Sequence, residues 1–219
     1  MEKQQQDQAG SSVGQTTTTS SQGKSPYQTL ADVLTRDGYK IDTVNGGVIK
    51  DLADYFGKSP EMRLNPKKGI YLHGSIGCGK TFLMKLISQI VGFRMVSTRR
   101  VVNDYAENGH EVIRRYGRES FKRVHRGGGS FPDRDQPLTI CFDDFGDEPD
   151  SKFYGQNVNV MNEIMMDRYE QFQDFGMITH VTTNYYKSET IEKMYGPRLL
   201  SRISEMMNIV HLPGQDRRK

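Results

Sequence analysis

Eight consecutive residues constrain this chain more than any others. Gly74-Ser75-Ile76-Gly77-Cys78-Gly79-Lys80-Thr81 satisfies the pattern G-x-x-x-x-G-K-[ST] in full. Such a loop works only between a strand and a helix, and the sequence supplies both. Ile70-Tyr71-Leu72-His73 reads as a short buried strand, and Lys80 to Val91 carries apolar residues at helical spacing. In that setting the glycines let backbone N–H groups turn inward around phosphate oxygens. The helix adds the positive end of its dipole. Lys80 is placed to reach the β- and γ-phosphates, and the Thr81 hydroxyl to ligate Mg²⁺. The expected nucleotide contacts are Gly74, Ser75, Ile76, Gly77, Cys78, Gly79, Lys80, Thr81 and Phe82. Cys78 is expected to serve through its backbone rather than its thiol.

Downstream, strand and helix patterns alternate. Strands are predicted at Phe93–Val96, Leu138–Phe142, Met177–Thr182 and Met207–Leu212. Helices are predicted over Arg99–Tyr116, Val158–Phe172 and, briefly, Leu199–Met206. Residues 118–136 read as polar and broken by Gly127-Gly128-Gly129 and Pro132. This order implies an α/β fold, a five-stranded parallel sheet with helices on both faces. In such sheets the C-terminal strand ends carry the chemistry. The strand Leu138-Thr139-Ile140-Cys141-Phe142 ends in Asp143 and Asp144. Asp143 fits the acid that holds Mg²⁺ through its water shell, and Asp144 the group that polarises an attacking water. A kinase, whose substrate hydroxyl is the nucleophile, would not need the second acid, so the pair favours hydrolysis. Before the loop, Val48 to Phe56 has helical spacing with Gly57 as its stop.

Composition separates the domain from its extension. Of 219 residues only 35% are hydrophobic, low for a globular domain. Residues 1–25 explain much of that, with six Gln, five Ser and four Thr and no aromatic residue. Such a stretch cannot bury enough apolar surface to offset its ordering entropy, so it reads as a disordered tail. Residues 26–66 read as a short helical extension and 67–219 as the nucleotide-binding domain. No run of 18 apolar residues suggests a membrane span, and no apolar segment suggests a secretory leader. Two cysteines exclude a disulfide scaffold and fit the reducing cytoplasm.

The net charge of +3 is modest, but it is unevenly spread. Between Arg94 and Arg126 nine Lys/Arg stand against four acids, with Tyr105, Tyr116 and Phe121 interleaved. Cations that track a backbone, with aromatics for base stacking, fit single-stranded DNA. The candidate contacts are Arg99, Arg100, Arg114 and Arg115, with Lys152 and Phe153 as a second group. A solvated helix face is the competing explanation for the arginines.

Taken together, these segments resemble an AAA+ ATPase of the bacterial helicase-loader type, the DnaC/IstB-like group, over roughly Val48 to Pro213. Gly74 to Thr81 is similar to its Walker A loop and Cys141-Phe142-Asp143-Asp144-Phe145-Gly146 to its Walker B strand end. Val181-Thr182-Thr183-Asn184 resembles the sensor 1 segment, which implies that Asn184 orients the lytic water. Tyr195-Gly196-Pro197-Arg198-Leu199-Leu200-Ser201-Arg202 resembles the arginine-finger segment, with Arg202 as the finger ahead of Arg198. The bland alternatives are a turn-capping Asn184 and surface charges at Arg198 and Arg202, which share one helical face. The resemblance implies an AAA+ sheet without a C-terminal helical lid, and ATP and Mg²⁺ as cofactors. It also implies self-association through the ATP site, with single-stranded DNA and a replicative helicase as partners. A transposase is the alternative client, as in the IstB-like branch. A nucleotide-gated binding module with little hydrolysis is a third reading. Asp144 stands where many relatives carry Glu, a carboxylate one methylene longer, which implies slow turnover. Residues 1–66 match neither relative's N-terminal domain.

Overall fold

The computed structural model describes residues 24–124, 134–149, 151–153, 156–186 and 189–217. Residues 1–23 of the predicted tail and the glycines at 127–129 lie outside the described residues. Helix α1, Pro26–Arg36, begins on a capping box in which Ser25 and Gln28 satisfy each other's backbone N–H groups, with Pro26 in the first turn. Helix α2 is Gly46–Phe56. Leu34, Ile49 and Leu52 are fully buried in one cluster with Ile70, Leu72 and Leu83. Residues 26–66 therefore share a core with the phosphate-loop strand and helix.

Strand β1 (Gly69–His73) leads into α3 (Lys80–Val91), β2 (Arg94–Ser97), α4 (Thr98–Asn108) and α5 (His110–Tyr116). A hairpin of β3 (Phe121–Val124) and β4 (Arg134–Pro137) precedes β5 (Ile140–Asp143). A second hairpin, β6 (Ser151–Phe153) and β7 (Gln156–Val158), precedes α6 (Val160–Phe175). Strand β8 (Thr179–Thr183), helix α7 (Glu189–Met206) and strand β9 (Met207–His211) follow.

The main sheet has five strands in the order β2-β5-β8-β1-β9, every neighbouring pair parallel. Alternation along the strands splits the core in two. Tyr71, Phe142 and Val181 face a cluster built with α4, α5, α6 and α7. Ile70, Leu72, Cys141 and Val210 face the cluster of α1, α2 and α3. Helices thus cover both faces, as the apolar strands require. The register sets Ser97 beside Asp143, and His73 beside both Thr183 and His211. The carboxyl ends of all five strands therefore meet along one edge.

Three elements differ from the sequence reading. The helix expected over Arg99–Tyr116 is two helices, broken at Gly109, whose φ of 62° is left-handed backbone that favours glycine. The stretch read only as polar and broken contributes, in its described residues, the two antiparallel strands β3 and β4. Helix α7 starts well before Leu199 and is kinked at Gly196–Pro197, because proline cannot donate to the preceding turn. Arg168 on α6 is fully buried. It donates to Thr179 Oγ1 at 2.7 Å and to the carbonyls of Tyr116, Leu138 and Ile178 at 2.9–3.0 Å.

Candidate functional site

The phosphate loop spans the gap between β1 and α3. Gly79 caps α3 at φ 99°, and a Cβ there would lie 2.7 Å from the Tyr39 ring, so both backbone and space exclude a side chain. No side chain caps this helix, which leaves its positive end uncovered for an anion. Lys80 is only 5% exposed. Its Nζ donates to the carbonyls of Gly74 and Ser75 at 2.9 Å and to Asn184 Oδ1 at 2.8 Å. Burial lowers its pKa, opposed by Cys78 and by the carboxylates of Asp144, Asp143 and Asp147.

The two neighbouring strand ends complete the centre. Asp143 Oδ1 accepts from Thr81 Oγ1 at 2.9 Å and from Thr182 Oγ1 at 2.5 Å. A hydroxyl and a carboxylate in contact are the hard oxygen donors that Mg²⁺ prefers, with water and phosphate filling its other positions. Among the described residues no group of three or more His, Cys, Asp or Glu could hold a metal. One hydroxyl and one carboxylate leave most coordination positions to water and phosphate, so the pair fits a cation that arrives with a nucleotide. Asp144 adopts φ 57°, held by Thr98 Oγ1 on its carbonyl at 2.9 Å and by its own N–H on Thr182 Oγ1 at 3.1 Å. Asn184 donates through Nδ2 to Asp147 Oδ2 at 2.5 Å, and the Tyr185 hydroxyl donates to Asp147 Oδ1 at 3.0 Å.

Lys80, Thr81, Asp144, Asp147 and Asn184 line a cavity of about 920 Å³, a size that admits a nucleotide. Tyr39 and Phe82, stacked at 5.9 Å, belong to its wall, as do Ile76, Gly77 and Gly79. The segment after β9 crosses this wall. Ser75 Oγ donates to the Gly214 carbonyl, and the Arg217 N–H donates to the Gly77 carbonyl at 3.0 Å. The Arg217 guanidinium is tied to the Lys40 carbonyl and Asp42, both at 2.8 Å. Next to the loop, His73 stacks on His211 at 4.9 Å. Burial, helped by the nearby His211 and Lys80, pushes its pKa down to about 4.

The structure brings together Gly74, Ser75, Ile76, Gly77, Cys78, Gly79, Lys80, Thr81, Phe82, Asp143, Asp144 and Asn184. Cys78 is fully buried, in keeping with a backbone role. Arg202 is elsewhere, on α7, donating to Tyr169 at 2.8 Å and Glu205 at 3.1 Å while lying 4.3 Å over the Tyr169 ring. Arg198 is exposed on the same helix. Arg99 and Arg100 are exposed on α4. On α5, Arg114 and Arg115 are paired with Glu119 and Asp104, each at 3.4 Å. Tyr105 and Tyr116 are buried in the core, and Phe121 packs edge-on against Phe175. The two tyrosines are therefore removed as base-stacking platforms. Lys152 and Phe153 lie on β6, and their side chains are outside those described.

Sequence reasoning missed Thr182, Asp147, Thr98, Tyr39 and Arg217. No local signal existed for Thr182, which meets Asp143 only because β5 and β8 lie side by side in register. None existed for Tyr39 or Arg217, whose places depend on how distant segments cross the loop.

Comparison with known proteins agrees with this architecture. The family described as ATPase family associated with various cellular activities (AAA) matches residues 70–209. An uncharacterized protein of Schizosaccharomyces pombe is 26% identical over 128 residues, 56% of this chain and 25% of its own. The chain thus spans about a quarter of the length of that curated relative. Among solved structures, a candidate primosome component from Streptococcus pyogenes serotype M3 superposes with a TM-score of 0.52 at 19% identity. That match covers 81% of this chain and 84% of the other. The DnaC helicase loader gives 0.52 at 15% identity, over 84% of this chain and 99% of its own. At such identities the likeness is one of fold.

Proposed function

The chain belongs to the ATPase family associated with various cellular activities, and from that premise we propose a Mg²⁺-dependent ATPase of the helicase-loader kind. It assembles on single-stranded DNA through its ATP sites and places a replicative helicase. One observation carries the nucleotide chemistry: Lys80, Thr81, Asp144 and Asn184 line one cavity from three strand ends, with Asp143 hydrogen-bonded to Thr81. Lys80 neutralises the phosphates, and Thr81 with Asp143 would hold Mg²⁺. The cation supplies charge stabilisation to the oxygens of the transferring phosphoryl group. Asp144 polarises the attacking water and Asn184 orients it. The loader-type segments around these residues support the client, and two buried free cysteines suit the cytoplasm. No helix among the described residues is long and apolar enough to cross a membrane.

Phosphate release tests this reading, measured with and without EDTA and with and without single-stranded DNA, beside binding to the replicative helicase in ATP and in ADP. Turnover should need the divalent cation and rise on DNA, and the helicase complex should form with ATP. EDTA-resistant turnover, or DNA and helicase that neither bind nor stimulate, would overturn it. ATP-dependent capture of a transposase instead would move the chain to the transposition branch.

A further inference from the structure

We propose that Asp147 is a positioning residue that locks the side-chain amide of Asn184 so that its oxygen, not its nitrogen, faces the reacting nucleotide. The inference rests on the ATPase reading of the Lys80 site. Asn184 stands between two groups of opposite hydrogen-bonding character. Its Nδ2 donates to Asp147 Oδ2 at 2.5 Å, and its Oδ1 accepts from Lys80 Nζ at 2.8 Å. An ionised carboxylate only accepts, and an ammonium only donates. Flipping the amide would set oxygen against carboxylate and nitrogen against ammonium, losing both bonds. Asp147 is itself held, with Tyr185 donating to its other oxygen at 3.0 Å and its own N–H donating to the Asp144 carbonyl at 3.1 Å.

The lock decides what Asn184 can do. When bound phosphates draw the Lys80 ammonium away, Nδ2 stays on Asp147 and Oδ1 is left as an acceptor in the cavity. An acceptor suits a water molecule, whose O–H donates to Oδ1 while an oxygen lone pair is free to face phosphorus. It repels a phosphate oxygen, which would require the nitrogen. The geometry therefore assigns Asn184 to the attacking water and makes Asp147 the reason.

Exchanging the two groups tests this. Wild type, Asp147→Asn, Asn184→Asp and the double variant are compared for displacement of a fluorescent ATP analogue, for kcat and for melting temperature. Asp147→Asn lets the amide flip, so kcat should fall about 10–100-fold while ATP affinity stays within about threefold. Asn184→Asp presses two carboxylates together and should fall at least as far. In the double variant the new amide at 184's partner position donates to the new carboxylate, whose second oxygen faces the cavity as Oδ1 did. A recovery of kcat of about tenfold or more over the better single variant is expected, which mere structural damage would not produce. No recovery, with ATP bound normally by all four, overturns the assignment, as does wild-type kcat in Asp147→Asn. Should the carboxylate variants fail to fold, Tyr185→Phe removes one hold on Asp147, and its kcat should drop severalfold at unchanged ATP affinity. Unchanged kcat there counts against the proposal. A wild type that binds ATP without hydrolysing it overturns the ATPase reading instead.

Discussion

Asp144 occupies left-handed backbone at φ 57°, which costs a non-glycine residue on the order of 1 kcal/mol. Aspartate tolerates it better than most residues, and hydrogen bonds to Thr98 and Thr182 hold the turn. Asp144→Asn keeps the shape and this tolerance and removes only the charge. It should bind Mg²⁺-ATP as wild type and hydrolyse it roughly 10²–10⁴ times more slowly. Phosphate release measured beside nucleotide binding checks this, and unchanged turnover would make Asp144 a bystander. Lys80→Ala, by contrast, should lose ATP binding without unfolding, because among the described residues Nζ donates to loop carbonyls, Cys78 and Asn184. Two histidines set a pH dependence. His180 accepts from the Ile70 N–H at 3.0 Å and is pushed down to about 3 by burial, with Arg168 adding to the effect. His73 is pushed down to about 4. Between those values and the ordinary 6.5 the unfolded chain binds these protons and the folded chain does not, so stability falls as pH drops through that window. The melting temperature should decline from pH 7 to pH 5, and a level profile would show that these imidazoles are not held neutral.

Helix α6 is anchored through one buried cation. Burial drops the Arg168 guanidinium to about 9, and its partners are backbone carbonyls on α5, just before β5 and just before β8, with the Thr179 hydroxyl. Arg168→Ala strands several buried acceptors at once, each costing about 1–3 kcal/mol. A denaturant titration should show a loss of about 3 kcal/mol or more. Helices α4 and α5 carry the expected DNA charges, and here burial changes the expectation. With Tyr105 and Tyr116 in the core, any DNA contact proposed for these arginines would act by charge without those two rings. Reversing Arg99, Arg100, Arg114 and Arg115 should lower the log–log salt slope of single-strand binding by roughly 0.7 per lost contact. Arg99 and Arg100 should matter more, because Arg114 and Arg115 already share charge with Glu119 and Asp104. An unaltered slope would leave this a plain solvated face.

For the whole molecule the open question is whether one chain holds a complete site. Among the described residues no α7 side chain lines the Lys80 cavity, and Arg202 is tied to Tyr169 and Glu205. If Arg202 serves a neighbouring subunit's ATP, activity per subunit should rise with protein concentration or on a DNA scaffold. A finger of this kind is worth roughly 10³–10⁵ in rate. Arg202→Ala should then bind ATP without hydrolysing it. Mixing it with Lys80→Ala should restore some turnover, because one variant keeps the ATP site and the other the finger. Concentration-independent activity and no complementation would reduce Arg202 to its contacts with Tyr169 and Glu205.

Whatever depends on neighbours in the chain was legible in the sequence. The loop Gly74 to Thr81, the strand before it, the helix after it and the acids ending β5 follow from turn chemistry and periodicity over a few residues. The parallel sheet follows from their alternation. Folding alone decided which strand ends meet. Thr81 and Asp143 are 62 positions apart, Asp143 and Thr182 39, and Lys80 and Asn184 104. The burial of Tyr105 was likewise invisible, because an interleaved aromatic looks the same whether its helix face meets solvent or the sheet. Those pairings come from strand order and register, which answer to the packing of two cores rather than to any local signal.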